Sequence, residues 1–414
     1  MWNVIGYQCS VCSERYSLAD VDYVCPKDSG NLNVVLDYEA ISKASKPEDI
    51  QASHDFSMWR YLPLLPVNDP GHPGTPLRSV GWSPVYSPKK LAKDLDIERL
   101  WLKDESPNPT ASFKDRASAL LVARANEIKA DVVITASTGN AGAALAGMAA
   151  AVGQKAVILA PKTAPPAKVA QLLVYGAEVI LVDGNYDAAV ALAVEASNEF
   201  GWYCRNTGYN PFTAEGKKTA AFEIWEQVLL AESLSQPISI FVSVGDGNII
   251  SGIHKGLKDL HALGWLDHIP RIFGVQSEGS AAIANAFMAG TEVIAPVSAD
   301  TMADSISVDM PSDGLRALRA ATQTDGAYIT VTDGEISQAI SDLGKAGIFS
   351  EPAAATAFGG IIKARSKSLI SAQDPVLGLL TGSGLKDVKA AMQAAGEAPV
   401  IEPNLASLKE VIRK

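Results

Sequence analysis

The chain has 414 residues, 47% of them hydrophobic and 20% charged, with a formal net charge of −11. That length and apolar content exclude one small core and suit two packed domains. The acidic balance excludes an extended nucleic-acid surface, which needs clustered Lys and Arg, but leaves room for a small phosphorylated ligand.

The start, Met1 to Tyr7, lacks the basic and apolar regions of a signal peptide. No apolar run reaches the roughly 20 residues of a membrane span. The longest Ala-rich run, Ala141 to Val152, is shorter and interrupted by Gly. Four Cys, three of them within the first 25 residues, make no disulfide framework. The expectation is a cytoplasmic protein with no membrane or nucleic-acid partner.

In chain order, residues 1–40 read as a small separate unit. Cys9-Ser-Val-Cys12 is a CxxC pair, and Cys25-Pro26-Lys27-Asp28-Ser29-Gly30 looks like the second knuckle of a zinc ribbon whose last Cys is Asp. A structural zinc site wants four ligands, usually thiolates or imidazoles. The unit is therefore expected to be a relic ribbon that folds without metal, with a zinc site as the alternative. Residues 41–96 form a lead-in packing on the larger domain. Within it, 61–89 is a Pro-rich connector that wraps over a domain rather than forming a helix or an inner strand.

From about residue 97 short apolar strands alternate with helical stretches. Strands are predicted at Arg99–Lys103, Val132–Ala136, Ala156–Ala160, Val179–Val182, Ile238–Val244, Ile272–Gln276, Tyr328–Val331 and Val376–Leu380. Helices are predicted at Phe113–Ile128, from Asn140 onward, and at Ala214–Leu230. The alternation implies α/β architecture: two parallel sheets with helices on both faces. The larger domain is placed at 97–130 and 237–400, the smaller at 131–236, and a tail at 401–414.

Open α/β sheets bind ligands at the carboxyl ends of their strands. Three Gly/Ser/Thr/Asn-rich segments, 137–142, 245–248 and 381–384, fall at such ends. Ser137-Thr138-Gly139-Asn140 opens a helix and could cradle an anion, or simply cap that helix. Gly245-Asp246-Gly247-Asn248 could close around a phosphate, or be a tight turn. Thr381–Asp387 could offer hydroxyls to a ligand, or be a turn and cap. Lys114, in Asn108-Pro-Thr-Ala-Ser-Phe-Lys-Asp-Arg116, starts a helix whose positive end lowers a lysine pKa, as a Schiff-base nucleophile needs. Alone it reads as an ordinary helix-start lysine beside Asp115.

Together these segments carry a resemblance. Asn108–Arg116 resembles the NPTGSFKDR motif of the threonine synthase family, among fold type II pyridoxal 5′-phosphate (PLP) enzymes. Gly74-Thr-Pro-Leu77 is similar to the preceding GxTPL. Ser137–Asn140 matches the asparagine loop, and Gly245–Asn248 sits where the phosphate loop belongs. Asn210–Thr219 is similar to NPxRxEGxKT, and Glu351-Pro-Ala353 and Thr381–Asp387 complete the series in family order. The ribbon-like start is similar to the long form of the family.

The resemblance implies PLP as cofactor, held on Lys114 as a Schiff base (internal aldimine). Phe113, Asn140, Gly245, Asp246, Gly247, Asn248 and Thr381 would surround it, and Ser137, Thr138 and Asn210 would receive the substrate. It implies a homodimer that converts O-phospho-L-homoserine and water to L-threonine and phosphate, with Lys114 as the base. No resident metal is implied. Three departures bear on the substrate: Thr213 replaces the family's Arg, Ala111 and Ala117 replace Gly, and Asp246 brings a carboxylate beside an expected phosphate. They keep open a relative acting on another amino acid by β-elimination or β-replacement, like cysteate synthase or an ammonia-lyase. A non-catalytic ligand-binding relative is the reading from another class.

Overall fold

A computed structural model describes residues 2–232, 234 and 236–412. The N-terminal unit is a three-stranded antiparallel sheet: β1 (Val4–Cys9) lies between β2 (Arg15–Tyr16) and β3 (Leu32–Leu36). Then β4 (Val85–Tyr86) pairs antiparallel with β5 (Leu100–Asp104). A four-stranded parallel sheet follows, from β6 (Val132–Ala136), β7 (Lys155–Pro161), β8 (Glu178–Val182) and β9 (Tyr203–Cys204), in the order β8-β7-β6-β9. The chain then returns to the sheet of β4 and β5 with β10 (Ser239–Ser243), β11 (Arg271–Ser277), β12 (Ala327–Val331) and β13 (Val376–Leu380). That sheet has the order β12-β11-β10-β13-β5-β4 and is parallel except at β4.

The burial pattern explains the order. β5, β10 and β13 are buried at every position. Strands with helices on both faces read as such continuous runs. β8 lies at an edge of the smaller sheet and has no fully buried residue.

Two expectations need correction. The Pro-rich connector does hold helix, the 3-10 turns Met58–Leu64 and Pro76–Ser79, while its one strand, Val85–Tyr86, lies at an edge and not inside a sheet. The connector is pinned by Trp59 Nε1, which donates to the Leu77 carbonyl at 2.8 Å, and by the Met58 N–H, which donates to Val80 at 2.7 Å. The helix expected at Ala214–Leu230 is three pieces: Phe212–Lys217, Thr219–Ile224 and a π-helical turn at Trp225–Leu230. The widened turn lets adjacent side chains serve different partners. Glu226 meets Arg60 at 2.6 Å, and Gln227 Oε1 accepts from Lys103 Nζ at 2.9 Å.

Helix Lys114–Glu127 sits at the junction of these parts. Its Arg116 is fully buried and bridges two buried carboxylates. Nε and Nη2 fork onto Glu105 at 2.7 and 2.8 Å, and Nη1 and Nη2 onto Glu223 at 2.5 and 2.8 Å. Lys103 meets Glu223 at 2.7 Å. Glu105 also accepts from Ser83 Oγ and Asn108 Nδ2, and Glu223 from the Trp82 N–H. One network thus ties the connector, β5, the turn before Lys114 and helix Thr219–Ile224. Removing one member of a buried ion network leaves an uncompensated charge, which costs about 3–5 kcal/mol. Glu223→Gln is expected to lower stability by about that amount, read as a shift in the urea midpoint with an unchanged slope.

Candidate active site

The turn carrying Lys114 is stitched to the end of β13. The Phe113 N–H donates to the Thr381 carbonyl at 2.8 Å, and the Ser383 N–H to the Ala111 carbonyl at 3.1 Å. Ser112 and Gly382 form a bridge between them. Asp115 folds back on the turn, accepting the Thr110 N–H at 2.6 Å and the Thr110 hydroxyl. Ala111, where the family motif has Gly, has φ +63°. A side chain in that region costs about 1–3 kcal/mol, so strain is stored three residues before Lys114.

Lys114 itself is half-buried, and its Nζ forms no hydrogen bond among the described residues. Burial pushes its amine pKa down; the Glu351 carboxylate opposes this, and the Arg205 guanidinium adds to it. On one side of it Asn140 Nδ2 donates to both oxygens of Glu351, at 2.9 and 3.0 Å. The carboxylate crosses the β13 end because residue 382 is Gly; a Cβ there would lie 2.4 Å from Glu351 Oε1. Asn140 and Glu351 line a pocket with Thr138, Lys168 and Lys386. Ser137 is buried beside it, and its Oγ accepts the Gly139 N–H at 3.2 Å.

On the other side, Gly245–Asn248 turns from β10 into helix Asn248–Ala262. Gly247 is left-handed (φ +89°), and a Cβ on Gly245 would press on Ile306 at 2.7 Å. The opening backbone N–H groups of a 15-residue helix make an anion cradle. The Asp246 carboxylate is turned onto Ser312, accepting its hydroxyl at 2.9 Å, so the loop can offer backbone N–H groups without a carboxylate among them. Asn248 is occupied by its neighbours: Oδ1 accepts from Lys217 Nζ and Nδ2 donates to Asp313, both at 2.7 Å. Thr381 is buried, and among the described residues its hydroxyl forms no hydrogen bond.

One expected contact is drawn elsewhere, and the departure at Thr213 is local. Asn210 Nδ2 donates to the Cys204 carbonyl at 2.8 Å, and its Oδ1 accepts the Phe212 N–H at 2.9 Å. Both ends of the amide bond the turn, so Asn210 holds this loop in place. The Thr213 hydroxyl donates to the Asn210 carbonyl at 2.7 Å and is fully buried. It does not stand in for a guanidinium.

Sequence reasoning did not assign Lys217 or Glu351 to the site. Arg205 leaves the end of β9 fully buried, with Nη1 on the Thr207 hydroxyl at 2.7 Å and Nη2 unpartnered. Burial pushes its pKa down to about 10. Lys217 is also buried, and its value is lowered by burial, then by Arg205 and Lys114. Neither forms a salt bridge among the described residues. The signals were available: Arg205 ends a strand, and Lys217 precedes Lys218, which takes Asp259 as its partner at 2.9 Å.

Two buried basic side chains, Arg205 and Lys217, thus lie near a glycine loop at a strand end together with Lys114, whose amine pKa is lowered, an arrangement that fits a phosphate-bearing carbonyl cofactor condensed with that lysine. The pyridoxal-phosphate dependent enzyme family matches residues 77–382. Solved structures with the same fold include processed threonine deaminase isoform 2 from Solanum lycopersicum, 24% identical with a TM-score of 0.65 over 80% of this chain and 92% of that one. Diaminopropionate ammonia lyase from Escherichia coli is 20% identical with a TM-score of 0.66, over 84% and 95%. The protein is a fold type II PLP-dependent enzyme. Its relatives include threonine synthases of Methanocaldococcus jannaschii, 36% identical over 98% of this chain and 99% of that one, and of Methanosarcina acetivorans, 35% identical over 98% of each. The chain belongs to the threonine synthase family.

Buried cations with lowered pKa values have a consequence before any ligand binds. Between the folded and unfolded values the unfolded chain holds more protons, so stability rises with pH. The cofactor-free protein is expected to gain stability as pH climbs toward the ordinary lysine value of about 10.4. Inorganic phosphate at constant ionic strength should stabilise it at neutral pH, by about 2.7 kcal/mol at a hundred times its Kd. Thermal midpoints with and without phosphate, in Arg205→Met and Lys217→Met as well as the parent, read this; equal responses in all three would place the anion elsewhere.

Proposed function

We propose that the chain converts O-phospho-L-homoserine and water to L-threonine and phosphate, using PLP held covalently by Lys114 Nζ. The observation that carries this beyond the family is the supply of buried positive charge. The cofactor phosphate fits the Gly245–Asn248 backbone beside Lys217. Arg205, with a free Nη2, then remains for a second anion, the phosphate of the substrate.

Bound PLP supplies an electron sink for negative charge at the substrate's Cα. Lys114, whose amine pKa burial pushes down, is the base placed to take the Cα proton. Phe113, buried next to Lys114, and Asn140, held by Glu351, would lie against the cofactor ring. Thr381 would offer a neutral hydroxyl to the ring nitrogen. Ser137, Thr138 and the helix they open receive the substrate carboxylate, with Lys168 and Lys386 at the pocket edge. No histidine lines this pocket or the one flanked by Tyr186, Thr207 and Asp246, so proton traffic falls to Lys114 and the departing phosphate. No described helix is long and apolar enough to cross a membrane. A homodimer in the cytoplasm is proposed with this reading, on the family resemblance.

The consumed Thr213 hydroxyl favours one alternative, β-elimination or β-replacement on a different amino acid. Two measurements separate the readings. Purified protein should be yellow, with a visible band absent in Lys114→Ala; a protein that stays colourless with added PLP sinks both. Incubation with O-phosphohomoserine should release phosphate and threonine in equal amounts. No release at millimolar substrate, with turnover of O-phosphoserine or another β-substituted alanine, selects the alternative.

Arg205→Met then assigns the second anion. A charge-assisted contact of about 1.5–3 kcal/mol predicts a KM raised roughly 10- to 100-fold with PLP affinity unchanged. Weaker PLP binding with an unchanged KM would instead put Arg205 on the cofactor.

A further inference from the structure

The N-terminal unit places four metal-ligating groups at one point. Cys9, Cys12, Cys25 and Asp28 each offer an atom, and these atoms all lie within 4.8 Å of one another. The separations match a tetrahedral ion. Two sulfurs, each about 2.3 Å from one zinc, lie about 3.8 Å apart, and a sulfur and a carboxylate oxygen about 3.6 Å apart. Cys12 Sγ and Cys25 Sγ are 3.7 Å apart, and Cys9 Sγ is 3.3 and 3.6 Å from the two Asp28 oxygens. A disulfide would need about 2.05 Å, and all four cysteines are free.

The backbone builds the ligand set twice by the same route. Ser13 donates its N–H to the Cys9 carbonyl, and Ser29 donates its own to the Cys25 carbonyl. Both serines, four residues after the first ligand of each pair, are left-handed, with φ +64° and +58°. Non-glycine residues adopt that conformation rarely, so its occurrence at equivalent places marks two matched knuckles. Partners around the ligands are also present. The Val11 N–H donates to Cys9 Sγ at 3.3 Å, the Gly30 N–H to Asp28 Oδ1 at 2.8 Å, and Tyr16 Oη lies 3.1 Å from Cys25 Sγ. Such outer contacts orient ligands and tune a site. Gly30 has no room for a Cβ, which would lie 2.8 Å from Cys9 Sγ and 2.9 Å from Asp28 Oδ1.

We propose that Cys9, Cys12, Cys25 and Asp28 bind one structural zinc ion, in place of the metal-free relic the sequence suggested. Four ligands close the coordination sphere, so the site is structural. Its task is visible in what the unit holds. Asn31 Nδ2 donates to the Gly208 carbonyl at 2.7 Å and to the Ser312 carbonyl at 3.0 Å. Tyr23 stacks on Tyr209 at 4.7 Å, and its hydroxyl accepts the Cys204 N–H at 3.0 Å. The ribbon thus braces the segment carrying Arg205 and the loop that takes the Asp246 carboxylate.

The test is metal analysis of the full-length, PLP-loaded protein, followed by chelation and titration with zinc alone. The expected result is about one zinc per chain, falling to near zero in Cys12→Ser while the cofactor band persists. Tyr16→Phe should keep the stoichiometry and weaken zinc roughly 10- to 100-fold, and Asp28→Cys should tighten it. Cobalt should substitute with the visible absorption of tetrahedral thiolate coordination, altered in Asp28→Ala. No zinc in protein grown with zinc, together with no uptake by the chelated protein, would overturn the proposal. So would a Cys12–Cys25 disulfide, or one equivalent of iron in place of zinc.

Discussion

The Arg116 guanidinium, shared by Glu105 and Glu223 with all three fully buried, is the constraint on which the site depends. A buried pair is weak evidence for net stability, because desolvation offsets much of the attraction. Its value here is geometric. Two carboxylates gripped by one planar fork fix the start of helix Lys114–Glu127 relative to β5, the connector and helix Thr219–Ile224. Close backbone approach adds to the constraint. Gly216 packs on helix Lys114–Glu127 so tightly that a Cβ would lie 2.3 Å from the Arg116 carbonyl. The turn before Lys114 has little freedom left and can sustain the left-handed Ala111.

Much of this was legible because strand and helix alternation is a strong periodic signal and the loops at strand ends are rich in small polar residues. The strand at Val376–Leu380 was read at its observed bounds, and the Lys114 helix within a residue at each end. Two failures share one physical cause, contacts distant in sequence, while the third, Asn210, turns on its own local backbone. Nothing local in Ala214–Leu230 announces a π turn, which exists to serve Arg60 and Lys103, more than a hundred residues away. Asn210 looks like a ligand-binding amide in its motif, yet its partners are the backbone on either side. The Asp246 carboxylate is beside an expected phosphate in sequence, and only the 312 loop shows where it is drawn.

The charges of the molecule fall into two groups. Lys103, Arg116 and Lys218 are buried against carboxylates. Lys114, Arg205 and Lys217 are withdrawn from water with none in salt-bridge contact among the described residues. The first group organises structure. The second has pKa values pushed down by burial, the direction expected of groups that an anion would relieve. Perturbed groups of this kind, converging on strand-end loops, are the signature of a site rather than of a scaffold.

This division bears on the missing guanidinium at position 213. Another element brings a buried guanidinium, Arg205, with an unpartnered Nη2. A long side chain at the start of helix Phe212–Lys217 would have its own rotamer freedom to lose. Arg205 instead leaves the end of a parallel strand, where Ile134 and Thr207 fix its backbone and its Nη1. A guanidinium so held is preorganised, and less entropy is lost when a dianion binds. The constraint has a counterpart: the same strand end is braced by Tyr23 of the N-terminal unit. The placing of Arg205, proposed above to meet an anion, therefore rests in part on the N-terminal ribbon.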